Sequence, residues 1–187
     1  MTLLALGVAL FAVCHLTLAL PEAKAALRRR LGKFFGPGFG IISLLPLVLI
    51  VLGWRNAPLE IVYDAPGWGR MATFILVLVA FICLGIFLFR GSLRQKLRLP
   101  LAWGVVFWSV GHLCANGDLA SLILFGGMLL YALVHLGLGF ANGVRPSPDI
   151  RQGHDVISIV IGVALYGVFA QLHPLFTGVP VVTLTLS

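Results

Sequence analysis

Six apolar stretches of 15 to 22 residues divide this chain of 187 residues. A helix needs about 20 mostly apolar residues to span the hydrocarbon of a membrane. Period-two alternation is absent, and only helices or closed barrels satisfy the backbone in lipid. The sequence therefore predicts an all-α, polytopic integral membrane bundle of about six transmembrane helices, with 1–187 as a single domain. The predicted spans are Thr2–Leu20, Phe39–Trp54, Met71–Phe89, Leu101–Ala115, Leu119–Phe140 and Val156–Gln171.

Composition supports the same class of protein. Hydrophobic residues make up 60% of the chain and charged residues only 10%, whereas soluble domains carry about 25% charged residues. The net charge of +7 comes from basic residues beside the apolar stretches. Such juxtamembrane charge is typical of contact with anionic lipid. Membrane lipid is therefore the predicted partner, and nucleic acid is not.

The distribution of lysine and arginine predicts the orientation. Eleven of these residues follow the first, third and fifth spans, and only Arg55 and Arg70 follow the second. Because cytoplasmic loops carry the excess of positive charge, both termini are predicted to be non-cytoplasmic. The first stretch has no basic residue before it, unlike a signal peptide. We therefore expect it to be a retained helix.

A turn between the fourth and fifth spans is also predicted. Asn116-Gly-Asp118 is a strong tight-turn sequence. The two spans should therefore form an antiparallel helical hairpin. Asp118 is expected to cap the helix that follows it.

Three histidines lie inside the apolar stretches: His15, His112 and His135. An ionisable side chain at membrane depth is costly and marks a functional site by default, and imidazole is the commonest metal ligand. At 1.5 Å per residue, His15 and His135 are each about 9 to 10 Å from the basic side, and His112 is about 9 Å from the other. Depth thus favours pairing His15 with His135, although tilted helices could bring His15 to His112. The alternative is that each ring hydrogen-bonds across a helix interface.

Other residues offer weaker signals. Trp108, close before His112, either walls an apolar pocket or packs in the bundle. The three cysteines form no CxxC pair and are expected to be buried thiols. HExxH, Walker, GxSxG and GxGxxG motifs are absent, and every acidic residue lies in a loop or at the end of a span. This distribution argues against an ion-driven transporter.

Two segments resemble the NnrU family of bacterial membrane proteins. The first comprises Cys14-His15-Leu16, then Leu27-Arg-Arg-Arg-Leu-Gly32 and Ile41-Ile-Ser-Leu-Leu45. The second and more specific one is Trp108-Ser-Val-Gly-His-Leu-Cys-Ala-Asn-Gly-Asp-Leu-Ala-Ser-Leu-Ile-Leu-Phe-Gly126. The resemblance extends over most of the chain and implies a multi-pass protein of the bacterial inner membrane.

The resemblance also implies a function and a site. The family is linked to denitrification and nitric oxide metabolism, and its plant and cyanobacterial relatives are 15-cis-zeta-carotene isomerases that carry heme b. By motif match, His15 and His112 would be the metal ligands. From its depth, His135 would be a substitute ligand or a supporting partner, and from its position Trp108 would wall the pocket beside the cofactor. Ser109 occupies the position of the relatives' ligand-switching cysteine. Leu99 stands where the family tends to have a histidine before a proline, so isomerase activity is not implied directly.

Three functions remain open from the sequence. The first is a heme b protein that binds nitric oxide. The second is a heme-dependent cis-trans isomerase of a polyene dissolved in the bilayer. The third is a cofactor-free membrane accessory protein whose histidines are satisfied by neighbouring side chains.

Overall fold

The computed structural model describes residues 1–181 of the chain. Within this range the regular structure is helical, apart from an isolated β-bridge between Ile61 and Asp118. The predicted position of the C-terminus, and the part of the predicted domain beyond residue 181, lie outside the described residues. The helices are α1 Thr2–Ala19, α2 Pro21–Leu31, α3 Phe35–Arg55, α4 Gly69–Leu88, α5 Ser92–Leu97, α6 Pro100–Ala115, α7 Leu119–Ala141 and α8 His154–Thr177.

The all-helical prediction is confirmed, and each predicted span corresponds to one helix. Among the described residues, α1, α4, α7, α8 and the continuous segment containing α3 are long and apolar enough to cross a membrane. The fourth predicted span, α6, is apolar but has only 16 residues. Such a helix is about 24 Å long, shorter than a hydrocarbon core of about 30 Å. The chain is therefore a multi-pass membrane protein with five helices of spanning length and one shorter apolar helix.

Neighbouring helices alternate in direction, as spans joined in sequence must. Gly7 of α1 approaches Ile50 of α3, and Gly53 approaches Leu4, so these helices are antiparallel. Contacts run in the order α3, α1, α7, α6, α4, α8, and α8 also meets α3. This order places α7 between the two histidine-bearing helices α1 and α6.

Apolar side chains cover the outside of the bundle. On α3, Ile41, Leu45, Val48 and Leu52 lie on one helical face, and each is exposed by 47% or more. A soluble protein rarely leaves so large a contiguous apolar surface open to water. Lipid contact explains this face, because hydrocarbon solvates leucine and isoleucine without cost.

Two short helices lie between the spans and were not predicted. The helix α2 carries a triplet of arginines, Arg28 to Arg30, and has no buried residue. The helix α5 carries Arg94 and Lys96 in its last turn. Both connect antiparallel spans at the basic end of the bundle. They were missed because their charged sequences resemble connecting loops.

The predicted hairpin between α6 and α7 is present, and Asp118 caps α7. Its carboxylate accepts hydrogen bonds from the backbone N–H of Ser121 at 2.9 Å and from the Ser121 hydroxyl at 2.6 Å. The cap satisfies a helix-end donor that would otherwise lack a partner.

Replacing Asp118 by alanine is expected to lower the free energy of unfolding by about 1 kcal/mol, the usual effect of losing an N-cap. Thermal unfolding in detergent measures the change. Asp64→Ala is the matched control, because Asp64 is exposed in the α3–α4 loop. Equal melting temperatures for the two variants would contradict the capping role.

Candidate functional site

His15 lies on α1 with one ring nitrogen engaged and the other free to bind a ligand. Its Nδ1 is 2.9 Å from the carbonyl oxygen of Phe11. A carbonyl only accepts hydrogen bonds, so Nδ1 carries the proton and Nε2 keeps its lone pair. The Phe11 ring stacks on the imidazole with centroids 3.9 Å apart, and Phe39 lies edge-on at 5.2 Å. The sequence pattern placed this histidine in an apolar span, and the structure surrounds it with aromatic rings.

His112 has the same arrangement on α6. Its Nδ1 donates to the carbonyl oxygen of Trp108 at 2.8 Å, which leaves Nε2 unprotonated. Phe125 of α7 stacks on the imidazole with centroids 4.3 Å apart and planes 18° apart. The Trp108 indole lies 5.3 Å from the imidazole and 4.8 Å from Phe125. Trp108 therefore contributes both its carbonyl, which orients His112, and its ring, which packs beside it.

His135 differs from the other two. Its Nδ1 is hydrogen-bonded to the Tyr131 hydroxyl at 3.1 Å, one turn earlier on α7. The Tyr131 ring is 5.7 Å from His135 and 6.1 Å from His15. The structure thus brings His15 and His135 to the same tyrosine. Of these two histidines, only His15 has its Nδ1 hydrogen-bonded to a carbonyl.

The helix α7 forms a common wall against both His15 and His112. Phe125 contacts His112 and Tyr131 contacts His15, and these residues are six positions apart on α7. That separation corresponds to roughly 9 Å along the helix axis. Phe125 lies in a π-helical stretch, Leu122–Gly126, and such stretches are frequent at functional sites.

Ser109 supplies an unusual polar group one turn before His112. It is fully buried, and its hydroxyl has no hydrogen-bond partner among the residues that the structure describes. A buried hydroxyl without a partner costs about 1–3 kcal/mol. A serine inside a helix can bond to the carbonyl four residues earlier, but Ser109 makes no such bond. Its hydroxyl is therefore a donor available to a group bound beside α6.

This donor set fits heme better than a bare metal ion. Within residues 1–181, no three His, Cys, Asp or Glu side chains are grouped so that they could hold an ion by themselves. Heme brings its own four equatorial nitrogens and needs only axial ligands from the protein. His15 and His112 each present a free Nε2 inside an aromatic, apolar surrounding, which is the form of histidine that binds iron.

A loop covers the end of α6 beyond His112. We call residues 56–68, between α3 and α4, the strap. The N–H groups of Val62 and Tyr63 donate to the Gly117 carbonyl at 2.8 and 3.0 Å, and the N–H of Leu119 donates to the Glu60 carbonyl at 2.8 Å. The Tyr63 hydroxyl donates to the carbonyls of Leu113 and Asn116. The strap therefore fixes the turn that follows the histidine-bearing helix.

The Tyr63 hydroxyl remains a hydrogen-bond donor at every ordinary pH. Burial raises the pKa of Tyr63, and the nearby acidic groups of Cys114 and Asp118 raise it further. Ionisation would bring negative charge towards carbonyl oxygens, which is unfavourable.

Sequence reasoning found the histidines but missed several of their neighbours. It did not identify Phe11, Phe125, Tyr131 or Tyr63 as part of the site. Phe11 and Tyr131 each lie four residues before a histidine, a spacing that puts both side chains on one helical face. That signal was present in the sequence. The contacts of Phe125 and Tyr63 depend on pairing between distant segments, for which no local pattern exists.

The fold and the site define a polytopic helical membrane protein with two carbonyl-oriented histidines on separate helices. A family model described as "NnrU protein" matches residues 3–181, nearly the whole chain. The chain belongs to the NnrU family. No curated protein and no solved structure gives a significant match.

Proposed function

We propose that this protein binds heme b between α1, α6 and α7 in the bacterial inner membrane and acts in nitric oxide or denitrification metabolism. The observation that carries the proposal is the shared geometry of His15 and His112. Each has Nδ1 bound to the carbonyl four residues earlier and Nε2 free. The link to nitric oxide rests on family membership.

The residues around the two histidines would have distinct roles. His15 and His112 would bind the iron, and the carbonyls of Phe11 and Trp108 would hold their rings in orientation and in the correct tautomer. The apolar bundle around them would exclude water. Ser109 would donate a hydrogen bond to the bound group, which would remove the cost of its unpaired hydroxyl.

When bound, heme would supply an iron that can bind nitric oxide. This would require one of the two imidazoles to be exchangeable. His112 is the better candidate because two aromatic rings pack beside its imidazole, whereas three pack beside that of His15.

An absorption spectrum of the purified protein tests the proposal. We expect a Soret band, with reduced-state bands typical of b-type heme, and a change in that spectrum when nitric oxide is added to the reduced protein. A preparation with adequate heme supply and no Soret band would refute heme binding. A Soret band that nitric oxide leaves unchanged would refute the proposed ligand.

A second candidate function is a heme-dependent cis-trans isomerase of a polyene. It is favoured by an apolar recess of about 140 Å³ between α4 and α6, lined by Ala80, Phe81, Leu84, Leu101, Gly104, Val105 and Trp108. Ligand sites usually have volumes of about 300–1,000 Å³, so the recess accommodates only part of a long polyene. Incubation of the reduced protein with cis-polyenes, followed by separation of isomers, is the test. Absence of turnover contradicts this candidate.

The third candidate, a cofactor-free accessory protein, is favoured by His135. Its Nδ1 is satisfied by Tyr131 without any ligand. The same explanation does not account for the buried, unpaired hydroxyl of Ser109. Co-purification with a larger complex in a heme-free form would favour this candidate over the other two.

A further inference from the structure

The end of α6 depends on groups from elsewhere in the chain for its hydrogen bonds. The last four carbonyls of a helix have no partner within it. Here the His112 carbonyl accepts from the backbone N–H and the side chain of Asn116, at 2.9 and 2.8 Å. The Leu113 and Asn116 carbonyls accept from the Tyr63 hydroxyl. The single O–H of Tyr63 is therefore shared between two carbonyls that flank the final turn of α6.

Close backbone contacts with the strap and with α4 also hold the last turn of α6. A Cβ added at Gly117 would lie 1.8 Å from the Tyr63 carbonyl oxygen, and one at Gly69 would lie 1.8 Å from the Cys114 carbonyl oxygen. The Thr73 hydroxyl of α4 donates to the Gly111 carbonyl at 2.7 Å. The turn that carries His112 is thus held between α4 and the strap.

We propose that Tyr63 is a positioning residue for His112: its hydroxyl fixes the last turn of α6 and thereby the direction of the His112 imidazole. The inference deepens the proposed function and rests on it where the imidazole is a heme ligand. Tyr63 acts through Leu113, the residue next to His112, and through Asn116, which itself bonds to the His112 carbonyl. Loss of the hydroxyl removes the one donor that these two carbonyls share and frees this turn to unwind.

The test compares Tyr63→Phe with Tyr166→Phe in the full-length purified protein. Both changes remove one hydroxyl, but Tyr166 lies on α8 and packs against Phe81. Two rates are measured without reference to heme. The first is alkylation of Cys114, which is partly exposed, in a background with Cys14 and Cys83 replaced by alanine. The second is carbethoxylation of His112, with His135 in the same molecule as the reference.

We expect Tyr63→Phe to speed both reactions by about three- to tenfold, the effect of losing one net hydrogen bond. His135 should react at the wild-type rate, and Tyr166→Phe should change nothing. In the heme-loaded protein, Tyr63→Phe should also speed displacement of the axial ligand by added imidazole and shift the Soret band.

Three outcomes would overturn the inference. Unchanged rates at Cys114 and His112 would show that the hydroxyl does not hold the turn. Equal acceleration at His112 and His135 would show general loosening of the fold. Faster alkylation of Cys114 with an unchanged rate at His112 would show that Tyr63 holds the turn without positioning the imidazole. A wild-type protein without heme would refute the proposed function. The rates of Cys114 alkylation and His112 carbethoxylation would still test whether Tyr63 positions His112.

Discussion

Replacing His15 by alanine is expected to abolish the b-type heme spectrum of the purified protein, and His112→Ala is expected to do the same. Each change removes an Nε2 that its own helix carbonyl holds in a metal-binding tautomer. Removing a residue that only hydrogen-bonds to a metal ligand usually lowers metal affinity 10–100-fold. Removing the ligand itself should therefore lower heme content at least about tenfold. The Soret absorbance per mole of protein measures it.

His154→Ala is the matched control for the histidine variants. His154 is the first residue of α8, and its Nδ1 accepts a hydrogen bond from the backbone N–H of Arg90 at 3.2 Å. Its loss should leave heme content unchanged. Full heme content in both His15→Ala and His112→Ala would contradict the assignment of ligands.

His135→Ala decides between the two possible ligand pairs. Predicted depth pairs His15 with His135, and the family motif pairs His15 with His112. Since Tyr131 already occupies Nδ1 of His135, we expect His135→Ala to keep the heme and to alter the spectrum only slightly. Loss of heme in His135→Ala together with retention in His112→Ala would establish the depth pair instead.

Gly85→Ala is expected to be the most damaging conservative change outside the site. A Cβ at this position of α4 would lie 2.0 Å from the Ser158 carbonyl oxygen on α8. Small residues let membrane helices approach closely, and backbone atoms cannot move aside as a flexible side chain can. We expect the free energy of unfolding to fall by about 2 kcal/mol or more, at the upper part of the usual overpacking cost.

Gly167→Ala provides the comparison for Gly85→Ala. Gly167 is also inside a helix, but a Cβ there would meet nothing within 4 Å. Alanine has the higher helix propensity, so this variant should be as stable as the wild type or slightly more stable. Thermal melting in detergent measures both. Similar melting temperatures for the two variants would show that α4 and α8 are not closely packed at Gly85.

Much of the fold could be predicted because a membrane helix is recognisable from the apolar residues of its own segment. Apolar length identified the six apolar helices but missed the charged helices α2 and α5. The turn sequence Asn116-Gly-Asp118 identified the α6–α7 hairpin and its cap. The predicted helix ends were less accurate where a helix continues beyond its most apolar residues. For example, α8 continues to Thr177, whereas apolarity alone ended the span at Gln171.

The orientation remains a prediction. The alternation of helix directions fits loops on two opposite sides, but which side is cytoplasmic depends on the excess of basic residues around α2 and α5. A cysteine-accessibility assay with an impermeant reagent, applied to intact cells with one cysteine placed in the strap, would measure it. Because two spans, α1 and α3, separate the N-terminus from the strap, a non-cytoplasmic N-terminus predicts that the reagent labels the strap cysteine. Absence of labelling would contradict the predicted orientation.

By itself, the sequence determined the class of protein and the residues worth testing. Hydrophobicity and charge are properties of each segment, so a membrane bundle with intramembrane histidines followed without any knowledge of contacts. The tertiary structure alone decided what each histidine meets. Phe125 and Tyr63 reach His112 and its helix by packing between separate segments of the chain, and such pairing depends on the shape of the whole bundle. His15 is therefore a candidate ligand by its sequence, and the strap that covers the end of α6 is known only from the fold.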